Sequence, residues 1–157
     1  MPPEASLSSA RISVVLVRAG GLLCALPLGS VVETLRSPPV MPVAGTPAWV
    51  KGVAVIRGAM VAVVDLGIML GSGFGGSMQA RLVTLRVGSR VVALAVDSVV
   101  GVREFERSVL SEVPPMLSQA HPEVLTAVGM LDRELLMELD GSRIISEQEL
   151  DRLEASR

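Results

Sequence analysis

A nineteen-residue stretch occurs twice in this chain, and that repeat constrains the fold more than any other feature. Laying Val14–Val32 (VVLVRAGGLLCALPLGSVV) over Leu82–Val100 (LVTLRVGSRVVALAVDSVV), an offset of 68 residues, gives eight identities without a gap. They are Val15/Val83, Arg18/Arg86, Gly20/Gly88, Ala25/Ala93, Leu26/Leu94, Ser30/Ser98, Val31/Val99 and Val32/Val100. In each copy the shared glycine separates two apolar runs, where a tight hairpin needs positive φ. Valine-rich segments match partly by composition, but composition does not bring the turn and the Ser-Val-Val tail into register together. Neither copy could fill a core alone, so two similar small β lobes packed against each other are expected.

The remaining chain reads mostly as hairpins. Ile12–Ala19 and Leu22–Leu26 flank Gly20-Gly21, and Val53–Ile56 and Met60–Val64 flank Arg57-Gly58-Ala59. Leu82–Val87 and Val91–Val96 flank Gly88-Ser89-Arg90, and Leu125–Leu131 and Leu135–Leu139 flank Asp132-Arg133-Glu134. Valine suits pleated, half-buried surfaces, and four hairpins with little helix between them predict a barrel or sandwich. Helix is expected in three places: a short turn at Ser30–Leu35, another at Asp65–Leu70, and an amphipathic C-terminal helix from Ser142. In the last, Ser146 and Glu149 have the spacing of a capping box. Residues 1–10 read as a flexible N-terminus, 11–157 as one domain of interleaved lobes, and the region near 71–79 as a linker.

Composition narrows the function classes. Half of the 157 residues are hydrophobic and 19% are charged, against about 25% charged in a typical soluble domain. The longest stretch without a charge, Leu66 to Ala80, holds five glycines, so it does not read as a spanning helix. MPPEASLSSA carries Glu4 and no basic run, unlike a signal peptide. Together with the lone Cys24, this leads to the expectation of a cytoplasmic protein. A net charge of −2 and three aromatics (Trp49, Phe74, Phe105) speak against a nucleic-acid surface.

Catalytic chemistry has few footholds. Gly71-Ser72-Gly73-Phe74-Gly75-Gly76 is a literal GxGxxG with Asp97 downstream, but a strand pattern follows it where a dinucleotide site needs a helix. His121 stands alone in a Pro-flanked stretch, and Cys24 lies in an apolar run where cysteine is ordinarily a buried hydrophobe. Asp65 and Asp97 each end a strand, where an Asp ordinarily caps the following turn. No metal-ligand spacing occurs, and no cofactor is expected. What stands out is charge set in apolar surroundings: Glu33, Arg57 at a hairpin tip, and Lys51, the one lysine beside thirteen arginines.

These residues lie in a longer pattern. Val31-Val32-Glu33, Pro42, Thr46-Pro47-Ala48-Trp49-Val50-Lys51-Gly52-Val53-Ala54-Val55-Ile56-Arg57-Gly58 and Val61-Ala62-Val63-Val64-Asp65-Leu66 together resemble the signature of CheW-type chemotaxis coupling domains. Val91–Val102 resembles the second-lobe hairpin of that family, and Thr126-Ala127-Val128-Gly129 its late strand. The likeness covers roughly Arg11 to Leu153. It implies two SH3-like five-stranded β-barrels sharing a hydrophobic core, with a C-terminal helix. It also implies a non-enzymatic adaptor joining the helical-hairpin tips of chemoreceptors to the regulatory domain of the histidine kinase CheA. By position, Glu33, Lys51 and Arg57 match polar coupling residues of the family. Val31, Val99 and Val102 match apolar partner-contacting positions, and Ile56 sits in the Arg-Gly turn motif beside them. The family's Asn before Leu-Arg-Gly is Val55 here, and Ile56 replaces the Leu. That departure fits a divergent chemosensory system controlling gliding or pilus motility. A small ligand-binding domain using Gly71–Gly76, and a module that only self-associates, are the alternatives.

Overall fold

The computed structural model describes residues 10–71, 81–117, 124–145 and 147–155. Its strands are β1 (Arg11–Ala19), β2 (Leu22–Pro27), β3 (Val31–Arg36), β4 (Val50–Ile56), β5 (Ala59–Asp65), β6 (Arg81–Val87), β7 (Arg90–Val96), β8 (Ser98–Glu106), β9 (Leu110–Ser111), β10 (Leu125–Leu131) and β11 (Glu134–Leu139). They form one sheet in the order β8-β1-β2-β11-β10-β9 and a second in the order β3-β6-β7-β5-β4. The four expected hairpins are all present. Their turns are tighter than the sequence suggested: Ala59, Arg90 and Glu134 already begin strands.

The repeat is structural, and the two copies exchange their third strand. β1–β2 and β6–β7 are the repeated hairpins, and β3 and β8 carry the repeated Ser-Val-Val tail. β3 leaves β1–β2 and pairs with β6, while β8 leaves β6–β7 and pairs with β1. The β4–β5 and β10–β11 hairpins are a further equivalent pair, offset by 125 − 50 = 75 residues. The chain therefore enters the six-stranded sheet, builds the whole five-stranded sheet, and returns to complete the first. The elements flanking the Gly-rich stretch, β5 and β6, belong to one sheet. The passages between sheets lie at Leu28–Ser30 and at Asp97.

Each central strand is buried on both faces, which is why these strands read as unbroken apolar runs. One face of β1, β2, β6 and β7 packs into a cluster common to both sheets. There the repeat mates Val15/Val83, Val17/Leu85, Cys24/Val92 and Leu26/Leu94 sit together. The opposite faces fill a core private to each lobe. Val14, Leu16, Leu23, Ala25 and Leu136 fill one, and Ala54, Ile56, Val61, Val63, Leu82 and Ala93 the other. Each large side chain so buried contributes roughly 1.5–3 kcal/mol relative to exposure.

Helix is scarcer than the sequence suggests. Ser30–Leu35 is not a helical turn: a 3-10 turn occupies Leu28–Ser30, and Val31–Arg36 is edge strand β3 with alternating burial. The β-branched pair Val31-Val32 and the downstream Pro38-Pro39 both oppose helix. The short helix Leu66–Met69 forms as expected, capped by Asp65, whose Oδ1 accepts the Ile68 N–H at 3.0 Å. The C-terminal helix is Glu147–Ala155, starting later than Ser142 because Gly141–Arg143 is a 3-10 turn. Its Leu150 and Leu153 enter the common cluster. Ser146 of the expected capping box lies outside the described residues.

Candidate functional site

Each of the three singled-out polar residues is presented by a local irregularity of the β structure. On β3, Val31 faces Leu85 and Glu33 faces Thr84, so Val32 is an extra residue. Such a bulge bends the strand and re-aims the side chains beside it. The buried Thr84 hydroxyl fastens it, accepting the Glu33 N–H at 3.1 Å and donating to the Glu33 carbonyl at 3.2 Å. On β4, Val50 faces Val64 and Gly52 faces Val63, which makes Lys51 the extra residue. Gly52, at φ 141°, lets the Met41 carbonyl pass so close that a Cβ would stand 1.9 Å from it. Two backbone bonds, Met41 N–H to the Val53 carbonyl (2.8 Å) and the reverse (2.9 Å), lock that approach. Arg57 and Gly58 have φ of 55° and 79°, the pair of positive angles a two-residue hairpin turn requires.

The irregularities bring two of these side chains together. Arg57 donates Nη2 to Glu33 Oε1 at 2.7 Å and Nε to Oε2 at 3.1 Å, a bidentate fork across 24 positions of sequence. Arg57 is 78% exposed and Glu33 25%. The hydrogen bonds from Arg57, more than its charge alone, hold the Glu33 carboxyl below its ordinary range, and Glu33 raises Arg57 in return. The arrangement displays a cation whose planar fork is oriented in advance, with its outer edge in water. The other lobe carries the same device with the charges reversed. Asp132, in the turn equivalent to Arg57, meets Arg103 of β8 at 3.2 Å.

The apolar candidates divide. Val31 and Val99 are repeat mates, both half-buried against the common cluster at the two strand crossings. Val102, on β8, is 64% exposed. Val31 shares β3 with Glu33, whereas Val99 and Val102 belong to the other sheet. Ile56 is 7% exposed and packs within its lobe, so at this hairpin Val55 (53%) faces outward. The bulge residues Val32 and Val100 are also exposed. They went unread because a bulge is visible only once pairing register is known, although the Ser-Val-Val repeat marks both.

Enzymatic alternatives gain no geometry here. Burial pushes the Cys24 thiol up to about 12, leaving it an inert hydrophobe. Asp65 caps a helix, and Asp97 Oδ2 accepts the Gly20 N–H at 2.9 Å, tying the β1–β2 turn to the start of β8. Among the described residues no three His, Cys, Asp or Glu cluster as metal ligands. His121 and Ser72 through Gly76 lie outside the described residues, and no helix among the described residues is long and apolar enough to cross a membrane.

The family model for the CheW-like domain matches residues 13–149. The chain belongs to the CheW-like domain family. Chemotaxis protein CheW of Klebsiella aerogenes is 29% identical over 109 residues, covering 69% of this chain and 66% of that protein. Protein PilI of Pseudomonas aeruginosa is 35% identical over 107 residues, covering 67% and 60%. The matched stretch thus spans less than two thirds of these relatives' lengths. The crystal structure of the scaffolding protein TtCheW from Thermoanaerobacter tengcongensis aligns with a TM-score of 0.76 at 20% identity, covering 89% of this chain and 97% of that one. The two sheets described above are thus the two SH3-like lobes of the CheW fold. Within this CheW-like domain, Glu33, Lys51 and Arg57 all lie in the lobe built by β3 to β7.

Proposed function

We propose that the chain is a non-enzymatic adaptor that couples membrane-bound chemoreceptors to a CheA-type histidine kinase in the cytoplasm. The family match over residues 13–149 carries the reading. The physical fit comes from the lobe surface. A helical receptor tip binds by laying an apolar stripe along a groove while a few charges set its register. Val31, Val99 and Val102 supply apolar contact, and the braced Arg57–Glu33 fork and Lys51 supply the polar contacts. The kinase's regulatory domain, itself of the same double-lobe architecture by family resemblance, is the second partner. The identity to Protein PilI, 35% against 29% for CheW, favours an output other than swimming, in a pathway acting on pili or gliding.

Reconstitution of receptor cytoplasmic fragment, kinase and this chain tests the reading through kinase autophosphorylation. The expected result is chain-dependent activation that Arg57→Ala lowers. Activity indifferent to adding the chain would reject it.

A further inference from the structure

Arg36 and Arg81 stand directly opposite one another on the antiparallel β3–β6 pair. Like charges in that register cost stability, and among the described residues neither guanidinium has an ion-pair partner. The repeat supplies an internal comparison. The equivalent cross-strand pair in the other lobe is Ser13 (81 − 68) facing Glu104 (36 + 68), and there Arg11 neutralises Glu104 at 3.1 Å. One lobe thus keeps a compensated pair where the other keeps two uncompensated cations. A broken local rule with no remedy inside the chain marks a place used by something outside it.

Arg81 also lines a groove of about 440 Å³ with Thr34, Asp97, Ser98 and Val99, beside the crossing into β8. Asp97 engages Gly20 through one oxygen, which leaves two guanidinium charges against one carboxylate. We propose that Arg36 and Arg81 form a clamp for a side-chain carboxylate of the helical partner that docks over Val99. This rests on the adaptor reading for the partner's identity. A single carboxylate suits the site better than a phosphate, because Asp97 would repel a second negative charge. Val99 in the groove wall calls for apolar cover, which a helix brings and a free anion does not.

The test is calorimetric titration of the full chain with the receptor cytoplasmic fragment, using wild type, Arg57→Ala and the double variant Arg36→Gln/Arg81→Gln, over a series of NaCl concentrations. The expected result is binding about tenfold weaker in the double variant, with a flatter salt dependence. Its melting temperature should match or exceed wild type, since the like-charge repulsion is gone. Wild-type affinity in the double variant, with Arg57→Ala weakened, would overturn the clamp and leave the adaptor reading standing. Absence of binding by wild type would overturn both. A lowered melting temperature would assign the pair a structural role and overturn the clamp. Heat from inorganic phosphate alone, lost in the double variant, would replace the carboxylate with a small anion.

Discussion

Leu136→Ala is the sharpest test of the exchanged-strand architecture. Leu136 lies on β11, fully buried in the core private to the six-stranded sheet. Truncation forfeits roughly 2.4 kcal/mol of transfer free energy at ~0.8 kcal/mol per methylene-sized group. The cavity left among Val14, Leu16 and Leu23 brings the total to about 3 kcal/mol. For a chain of 157 residues, each kcal/mol shifts the melting midpoint by roughly 2–4 °C, so a fall of about 6–12 °C is expected. The assay uses two probes. Far-ultraviolet circular dichroism follows all strands. Fluorescence of Trp49, the only tryptophan, follows the start of β4 in the other sheet. Because β3 and β8 cross between lobes and both lobes share one cluster, a lesion in one lobe must lower the stability of both. The two probes should shift together. If Trp49 keeps its wild-type midpoint while the dichroism transition splits in two, the lobes unfold independently and the reasoning fails.

Three further outcomes follow from the site. Thr84→Val leaves the buried Glu33 N–H without its acceptor, a loss of about 1–3 kcal/mol. Kinase coupling should fall with it, although Thr84 touches no partner, and chemical denaturation with the coupling assay checks both. Gly52→Ala forces a Cβ into the Met41 carbonyl at a φ that L residues avoid, so a loss of roughly 4 kcal/mol or more is expected, read as failure to give a cooperative melt. The hydrogen bonds from Arg18 (2.6 and 2.9 Å) hold the Glu134 carboxyl below its ordinary range, so its contribution is present above the unfolded value and lost as pH falls through the folded one. The melting advantage of wild type over Glu134→Gln should be full at neutral pH and fade below about pH 4.

Much of this fold is legible in the sequence because its central strands are buried on both sides and joined by two-residue turns. Burial on both faces writes continuous apolar runs, as in Leu82–Val87, and positive-φ turns write glycines such as Gly20 and Gly88 between them. Edge strands leave weaker traces. In β3, Val31, Val32 and Leu35 have the spacing of a helical face, and the pairing that makes them a strand comes from Leu82 to Leu85, about fifty residues away. The strand exchange is illegible for a related reason. A repeat states that two hairpins are alike, but not which copy receives each third strand. Likewise the sequence singles out Glu33 and Arg57 by their apolar surroundings. That they meet in a bidentate fork depends on a bulge and a turn, neither of which a local pattern encodes.

The exchange of β3 and β8 also orders events in time. All strands of the five-stranded sheet, β3 to β7, lie between Val31 and Val96 and can pair as soon as that segment has left the ribosome. The first hairpin made, β1–β2, must wait. Its neighbours are β8 on one side and β11 on the other, and β11 ends at Leu139, 139 − 27 = 112 residues after β2. At translation speeds of about 5–20 residues per second, that wait is roughly 6–20 s. For that interval the most apolar N-terminal segment of the chain has both strand edges open. The lobe carrying Arg57 is thus the first to be finished during synthesis, and the lobe named first in the sequence is the last to close.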